Sequence, residues 1–475
     1  MTPPPPSAGS KSTSDTCFGD HHDGRLALLQ VIARVIDQGS RLSAVRFATR
    51  HAVCEILGIK KLDEEDLCEN LAWLAKEQEN VEKRLFAQRF SRDKPPPTLF
   101  LYDVTSTYLE GTCNAFATWG YNRDKKNGKK QIVIGLLAGP DGLPVAVRVF
   151  KGNTSDPTTV TEQVRILAKQ FGVKDVTLVG DRGMLKGAQI EALPDDFRTI
   201  TAISKPQIRK MLAEGVLQYE LFTDEVCEVE QNGVRYVLRR NPIRAQQIAT
   251  TREEKFNSIL RFVDVKTKYL AEHPRADPAI ALKSVCVKIG KLKASKWLTA
   301  TQDNRTICVE KCDVARSQEA LLDGCYVVKS DVPKDSASAQ TLHDRYCDLE
   351  MAFARLSHGQ DHPPRASPCI RNKKCSTQGH IFIVMLALLL QRELEQSWSA
   401  LDVSVAEGID ELSGIHMLEL ELGEATVHDI PKPTKLGQKL LDAANIILPS
   451  VLPKIAASVH TKKKLDSERK QRNYK

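Results

Sequence analysis

The 475-residue sequence predicts an α/β fold, a mixed sheet flanked by helices, and three observations carry that prediction. Two apolar runs of strand length, 98–102 and 176–180, each lead into an aspartate, Asp103 and Asp181. The order of elements from 98 to 203 reads as three strands, a helix, a strand, a helix and a strand. After 205 this rhythm changes, and the helices needed to finish the fold come only after 330, so 205–329 reads as an insertion.

Taken in order, residues 1–22 are rich in Pro, Ser and Gly and predict a disordered tail. Residues 23–94 predict a helical N-terminal domain. Leu26, Leu29, Ile32 and Ile36 recur at helical spacing, as do Val45, Phe47, Ala48 and Ala52 behind the cap candidates Ser40 and Ser43, and a third helix runs through Leu67, Leu71, Leu74 and Leu85. Arg46 and Arg50 lie with Arg41 and His51 on the second of these helices. That placement suits a DNA-reading module and equally a solvated helix face.

Three prolines, Pro95 to Pro97, end the helical region. Residues 95–204 then supply the first part of the core. Strands at 131–138 and 143–150 are joined by Gly139-Pro140-Asp141-Gly142, a hairpin turn, and followed by a helix at 157–171. A helix at 186–193 and a strand at 199–203 come after Asp181. This is the element order of a ribonuclease H-like mixed sheet. The insertion, 205–329, is α+β. It holds a hairpin around Asn232-Gly233, a helix at 244–270, Pro-containing loops and further strands. Residues 330–400 complete the core with helices, and 401–475 form a C-terminal region with a basic tail.

Composition narrows the function classes only partly. The formal charge of +8 is a mild basic bias, compatible with a polyanionic partner. The twelve cysteines contain no CxxC pair, and Cys308 and Cys312 have no second pair or histidine to complete a zinc set. They are expected as reduced thiols in the cytoplasm. No basic-then-apolar leader opens the chain, and the longest apolar run, 381–390, is about half a membrane span, so no membrane is expected.

The chemistry-bearing segments are Leu101-Tyr102-Asp103-Val104-Thr105-Ser106-Thr107-Tyr108, Gly120-Tyr121-Asn122-Arg123-Asp124, Phe150-Lys151-Gly152-Asn153-Thr154-Ser155-Asp156 and Gly180-Asp181-Arg182-Gly183-Met184. A carboxylate at the end of an apolar strand is costly to bury unless paired, and two on one sheet can share a divalent metal. In order and spacing these segments resemble the DDE transposases of bacterial insertion sequences, in the insertion-sequence-four-like group with an inserted β-rich domain. The resemblance runs from about 97 to 395. It implies two Mg²⁺ ions, with Mn²⁺ as a substitute, held by Asp103, Asp181 and a glutamate, and it implies cleavage and strand transfer at element ends. It further implies double-stranded DNA as partner, both terminal inverted repeats and target, a homodimer on DNA, and a bacterial, nucleoid-associated location.

Glu350 matches the third acid best, being followed by Met351-Ala352-Phe353. Two departures stand beside it: Ser357 occupies the position where the family has a lysine, and Glu350 follows Tyr346 by only four residues, about one helical turn closer than the family spacing. The stretch 357–368 has no periodicity, as compensating frameshifts would produce. A catalytically impaired remnant that only binds DNA is therefore an alternative, as is a ribonuclease H-like nuclease without strand transfer. Beside the core, Trp119 and Tyr121 neighbour Arg123, Lys125, Lys126, Lys129 and Lys130, a basic segment with aromatics near Asp103. DNA contact there and a solvated loop are both open readings. Arg182 follows the second aspartate and joins the candidate DNA-binding residues.

Overall fold

The computed structural model describes residues 17–90, 94–109, 113–121, 128–185, 190, 193–357, 374–422, 425–449 and 457–460. Most of the expected disordered tail, most of the expected helix at 186–193, the irregular stretch from 358 to 373 and the basic tail lie outside these residues. Contacts divide the chain into two compact units, one formed by 1–197 with 348–475 and the other by 198–347.

The first unit opens with helices α1 (His22–Ile36), α2 (Arg41–Arg50), α3 (Val53–Leu57) and α4 (Glu64–Arg89). Ser40 caps α2 by accepting from the Ser43 amide, and Asp63 and Asp66 close a capping box on α4. The buried stripe of α4 runs Leu67, Leu71, Leu74, Gln78, Val81 and Glu82, the three-to-four spacing of one helix face. Its last two polar members lie against the sheet.

That sheet holds β1 (Leu99–Tyr108), β2 (Gln131–Ala138), β3 (Pro144–Lys151) and β4 (Val176–Gly180), in the spatial order β3-β2-β1-β4. The first three strands pair antiparallel, and β4 lies parallel to β1. This is the ribonuclease H-like order. The β2–β3 hairpin turns where expected, with Gly142 at a φ of +75° and the Gly139 amide donating to Leu143 O. Between β3 and β4 run α5 (Asp156–Arg165) and a π-helical turn, Ile166–Gln170. Phe100, Tyr102, Val133, Leu137, Val160, Ile166, Leu178 and Met184 form the core beneath.

One element differs from its sequence reading. The first strand does not stop at Asp103 but continues to Tyr108, pairing with β2 as far as Gln131. Val104, Thr105, Thr107 and Tyr108 favour the extended state, so one carboxylate does not end the strand. Asp103 is a mid-strand residue.

The second unit carries β5 (Phe197–Ala202), α6 (Lys205–Ala213), β6 (Cys227–Gln231), β7 (Val234–Arg240), α7 (Pro242–Glu272), α8 (Pro278–Lys291), β8 (Leu298–Asp303), β9 (Thr306–Lys311), α9 (Asp313–Ala320) and β10 (Cys325–Ser330). β10 pairs antiparallel with β5 and with β7, and β7 with β6. The hairpin at Asn232-Gly233 has both residues at positive φ, as its sequence demands. Where Pro-containing loops were expected, α8 forms instead: Pro278 occupies its first turn and Asp277 caps it by accepting from the Ala279 amide.

Helix α10 (Ala339–Ser357) follows, and then α11 (Lys374–Trp398), which packs on α1, α4 and β3. The chain continues through α12 (Val405–Ser413), the hairpin β11 (Leu418–Leu422) and β12 (Ala425–Asp429), and α13 (Lys435–Ala443). Ser458–Val459 returns to pair in parallel with Lys61–Leu62. No described helix is long and apolar enough to cross a membrane.

Candidate active site

Register brings the two aspartates together. In the parallel β1–β4 ladder Tyr102 lies opposite Gly180, so Asp103 and Asp181 are each the next residue along neighbouring strands. Strands in a sheet are about 4.8 Å apart. Their backbones therefore hold two carboxylates side by side. Asp103 is half-buried, and its Oδ1 accepts from the Val104 amide at 2.7 Å. Asp181 is exposed and heads a turn in which its carbonyl accepts from the Met184 amide at 2.9 Å.

A third carboxylate, Asp156, to which the sequence assigns no role, comes close to Asp181. A Cβ placed on Gly183 would lie 3.7 Å from Asp156 Oδ2 and 3.9 Å from Asp181 Oδ2, so these two side chains converge over a glycine that leaves the space open. Asp156 is the first residue of α5, where the helix dipole favours negative charge. The signal for it was present in the Gly152-to-Asp156 segment.

Tyr102, one residue before Asp103, is fully buried. Burial pushes its phenol well above the usual range; the hydroxyls and amides of Thr159 and Gln163 temper the shift, and the charges of Asp103 and Asp156 add to it. Its hydroxyl closes no hydrogen bond of ordinary geometry with described residues. It lies against Gly135 of β2, where a Cβ would stand 2.4 Å from the oxygen. The neutral ring thus anchors the strand beneath the carboxylates.

Glu350 lies on α10, but its side chain is outside the described residues. The helix continues through Ser357 despite the departures in its sequence. Among the described residues no group of three His, Cys, Asp or Glu side chains is close enough to hold a metal ion. The donor chemistry nonetheless fits a hard cation: adjacent carboxylate oxygens are what Mg²⁺ prefers.

The candidate DNA contacts fall in separate places. Arg182 is exposed directly after Asp181. Lys129 and Lys130 are exposed before β2, and Tyr121 is 82% exposed in the same loop, while Arg123 and Lys125 lie outside the described residues. Arg46 is half-buried and Arg50 exposed on α2, a different element that register does not tie to the carboxylates.

The family described as Transposase DDE domain matches residues 94–347. No curated protein matches the chain. Among solved structures, a piggyBac transposase synaptic complex with hairpin DNA is similar at 9% identity and a TM-score of 0.40, over 85% of this chain and 70% of that one. A Mos1 transposase paired-end complex with the left transposon end is similar at 11% identity and a TM-score of 0.14, over 44% of this chain and 59% of that one. The family match spans just over half of the 475 residues and contains both Asp103 and Asp181, and this chain belongs to the DDE transposases.

Proposed function

We propose that this chain cuts DNA at the ends of an insertion element and joins those ends to target DNA. The observation that supports this most directly is the parallel register that sets Asp103 beside Asp181. Asp103, Asp181 and Glu350 would hold the divalent cations, two Mg²⁺ or Mn²⁺. Bound there, the cations would activate a water or a 3′-hydroxyl and stabilise the leaving oxygen of the phosphodiester. The strand backbones fix the spacing of the first two carboxylates, and Tyr102 keeps β1 in place beneath them. Arg182, Lys129 and Lys130 supply positive charge for the DNA backbone, which positions the duplex without reading it. Arg46 and Arg50 are the candidates for contact with the inverted repeat, Arg123 and Lys125 for contact along the basic loop, and a dimer on two ends is the assembly the reaction requires.

The test is a linear DNA carrying the element's ends, incubated with the protein, Mg²⁺ and a supercoiled target. Joined products support the proposal. Cleavage without joining supports a nuclease of the same fold. Specific end binding with no cleavage in either metal supports a binding-only remnant, the reading favoured by Ser357 and by the shortened spacing from Tyr346 to Glu350.

A further inference from the structure

The loop between β1 and β2 carries two large aromatic side chains into solvent. Trp119 is 62% exposed and Tyr121 82%. The backbone that holds them is tightly fixed. Thr118 and Gln131 exchange both amide hydrogen bonds, at 3.1 and 3.0 Å, and Leu109 N donates to Lys130 O at 2.9 Å. The side chain of Gln131, 3% exposed, donates to Tyr121 O at 2.9 Å and to Gly152 O at 2.8 Å. Gly120 and Gly152 approach so closely that a Cβ on Gly120 would stand 1.8 Å from Gly152 O, and one on Gly152 1.9 Å from Gln131 O. A rigid mount for exposed rings has no use in the core of this unit.

We propose that Trp119 and Tyr121 form a stacking platform for an unpaired DNA base. The inference rests on the DNA-processing reading above and specifies what this loop recognises. Exposed rings accept any base face, and such stacking is sequence-tolerant. Lys129 and Lys130, exposed at the end of the same loop, suit the accompanying phosphates. Tyr108, which pairs with Gln131 beside this loop, is five residues along β1 from Asp103, roughly 17 Å at the usual strand rise. The platform is thus clear of the chemistry.

Two measurements test it. The first compares affinity for a blunt duplex with that for the same duplex bearing a short single-stranded tail, at one salt concentration. A gain of about tenfold from the tail is expected, within the range for one or two stacked bases. Trp119→Ala and Tyr121→Ala should each lower that ratio toward one. Trp119→Phe should retain most of it, and Lys129→Ala should weaken both duplexes with the ratio kept. The second measurement is tryptophan fluorescence. Trp297 and Trp398 are buried and Trp73 is half-buried, its ring against His21, so quenching by the tail reports Trp119 and should vanish in Trp119→Ala. A tail that adds no affinity, or a gain that survives both alanine variants, overturns the platform. So does a change of the variants from dimer to monomer in sedimentation with the ratio kept, which would make the rings a protein contact. End cleavage and joining are scored separately, so a failure of the transposase reading and a failure of the platform give different results.

Discussion

Two sets of acidic side chains on the same sheet have opposite surroundings. Glu82, projecting from α4 onto β3, is fully buried and ringed by donors. Its carboxylate accepts from Arg148 at 2.8 and 3.0 Å, from Gln78 at 2.9 Å, from Gln170 at 2.8 Å and from the Val147 amide at 3.4 Å. On the other side of the sheet order, at β1 and β4, the acids gather near one another: Asp103 and Asp181 by register, Asp156 and Asp181 across Gly183. Donors around a carboxylate satisfy it within the fold. Carboxylates gathered together raise the local negative charge and prepare a place for cations from outside. The first arrangement holds helix to sheet; the second is suited to chemistry.

The contrast is broken most directly by exchanging consequences. Asp103→Ala or Asp181→Ala should reduce DNA cleavage at least roughly a thousandfold, because several kcal/mol of metal-derived stabilisation go with the ligand. The thermal midpoint of either variant should stay within a degree or two of the parent, since a like-charge neighbour is removed. An unfolded Asp103→Ala protein would place this acid with Glu82 instead. Glu82→Ala should do the reverse. It leaves Arg148, 13% exposed, with Glu162 at 3.6 Å as its remaining carboxylate among the described residues, a loss of about 3 kcal/mol in urea unfolding, while folded molecules still cleave. Glu82→Gln, which keeps some hydrogen bonds, should cost less than Glu82→Ala. Equal costs would show that packing and not charge holds this junction.

A smaller effect sharpens the comparison without any activity assay. Mg²⁺ or Mn²⁺ that binds the folded chain alone should raise its unfolding free energy by about 2.7 kcal/mol at a concentration one hundred times the dissociation constant. Asp181→Ala should lose that increment and Glu82→Gln should retain it. Stabilisation that survives in Asp103→Ala and Asp181→Ala would move the cation site elsewhere.

These surroundings were unevenly legible in the sequence. Asp103 and Asp181 stood out because a carboxylate interrupts or follows an apolar run, and local pattern is visible in one dimension. Their juxtaposition required the parallel register of β1 and β4, which no local pattern specifies. Asp156 went unassigned for that reason: it starts a helix in sequence and meets Asp181 only through the fold. Glu82 carries no local signal of its role, because its partners, Arg148 and Gln170, are 66 and 88 residues away. The helix α8 was lost to its proline, a residue that breaks helices in their interior but begins them well.

A third ionisable group extends the comparison to a base among cations. His380 on α11 is buried, its Nδ1 accepts from the Arg41 guanidinium, and its Nε2 has no hydrogen-bond partner among the described residues. It lines a cavity of about 20 Å³ with Gln30, Arg34, Ser40 and Arg41, room for a single water. Burial holds its imidazole well below the ordinary histidine range, and the charges of Arg41 and Arg34 push the same way. A histidine whose pKa is depressed by folding binds its proton more readily in the unfolded chain. Its contribution to stability is therefore fully present above the unfolded pKa, about 6.5, and is lost as pH falls below it, by at most about 1.4 kcal/mol per pH unit. Urea midpoints measured from pH 7.5 down to pH 5 should fall in the parent and fall less steeply in His380→Gln. Some slope should survive, since His51 is lowered by burial and by Arg50 in the same sense. Parallel curves for parent and variant would mean that His380 takes up its proton without opposition, and that the two arginines beside it are neutralised by a group that the fold brings close.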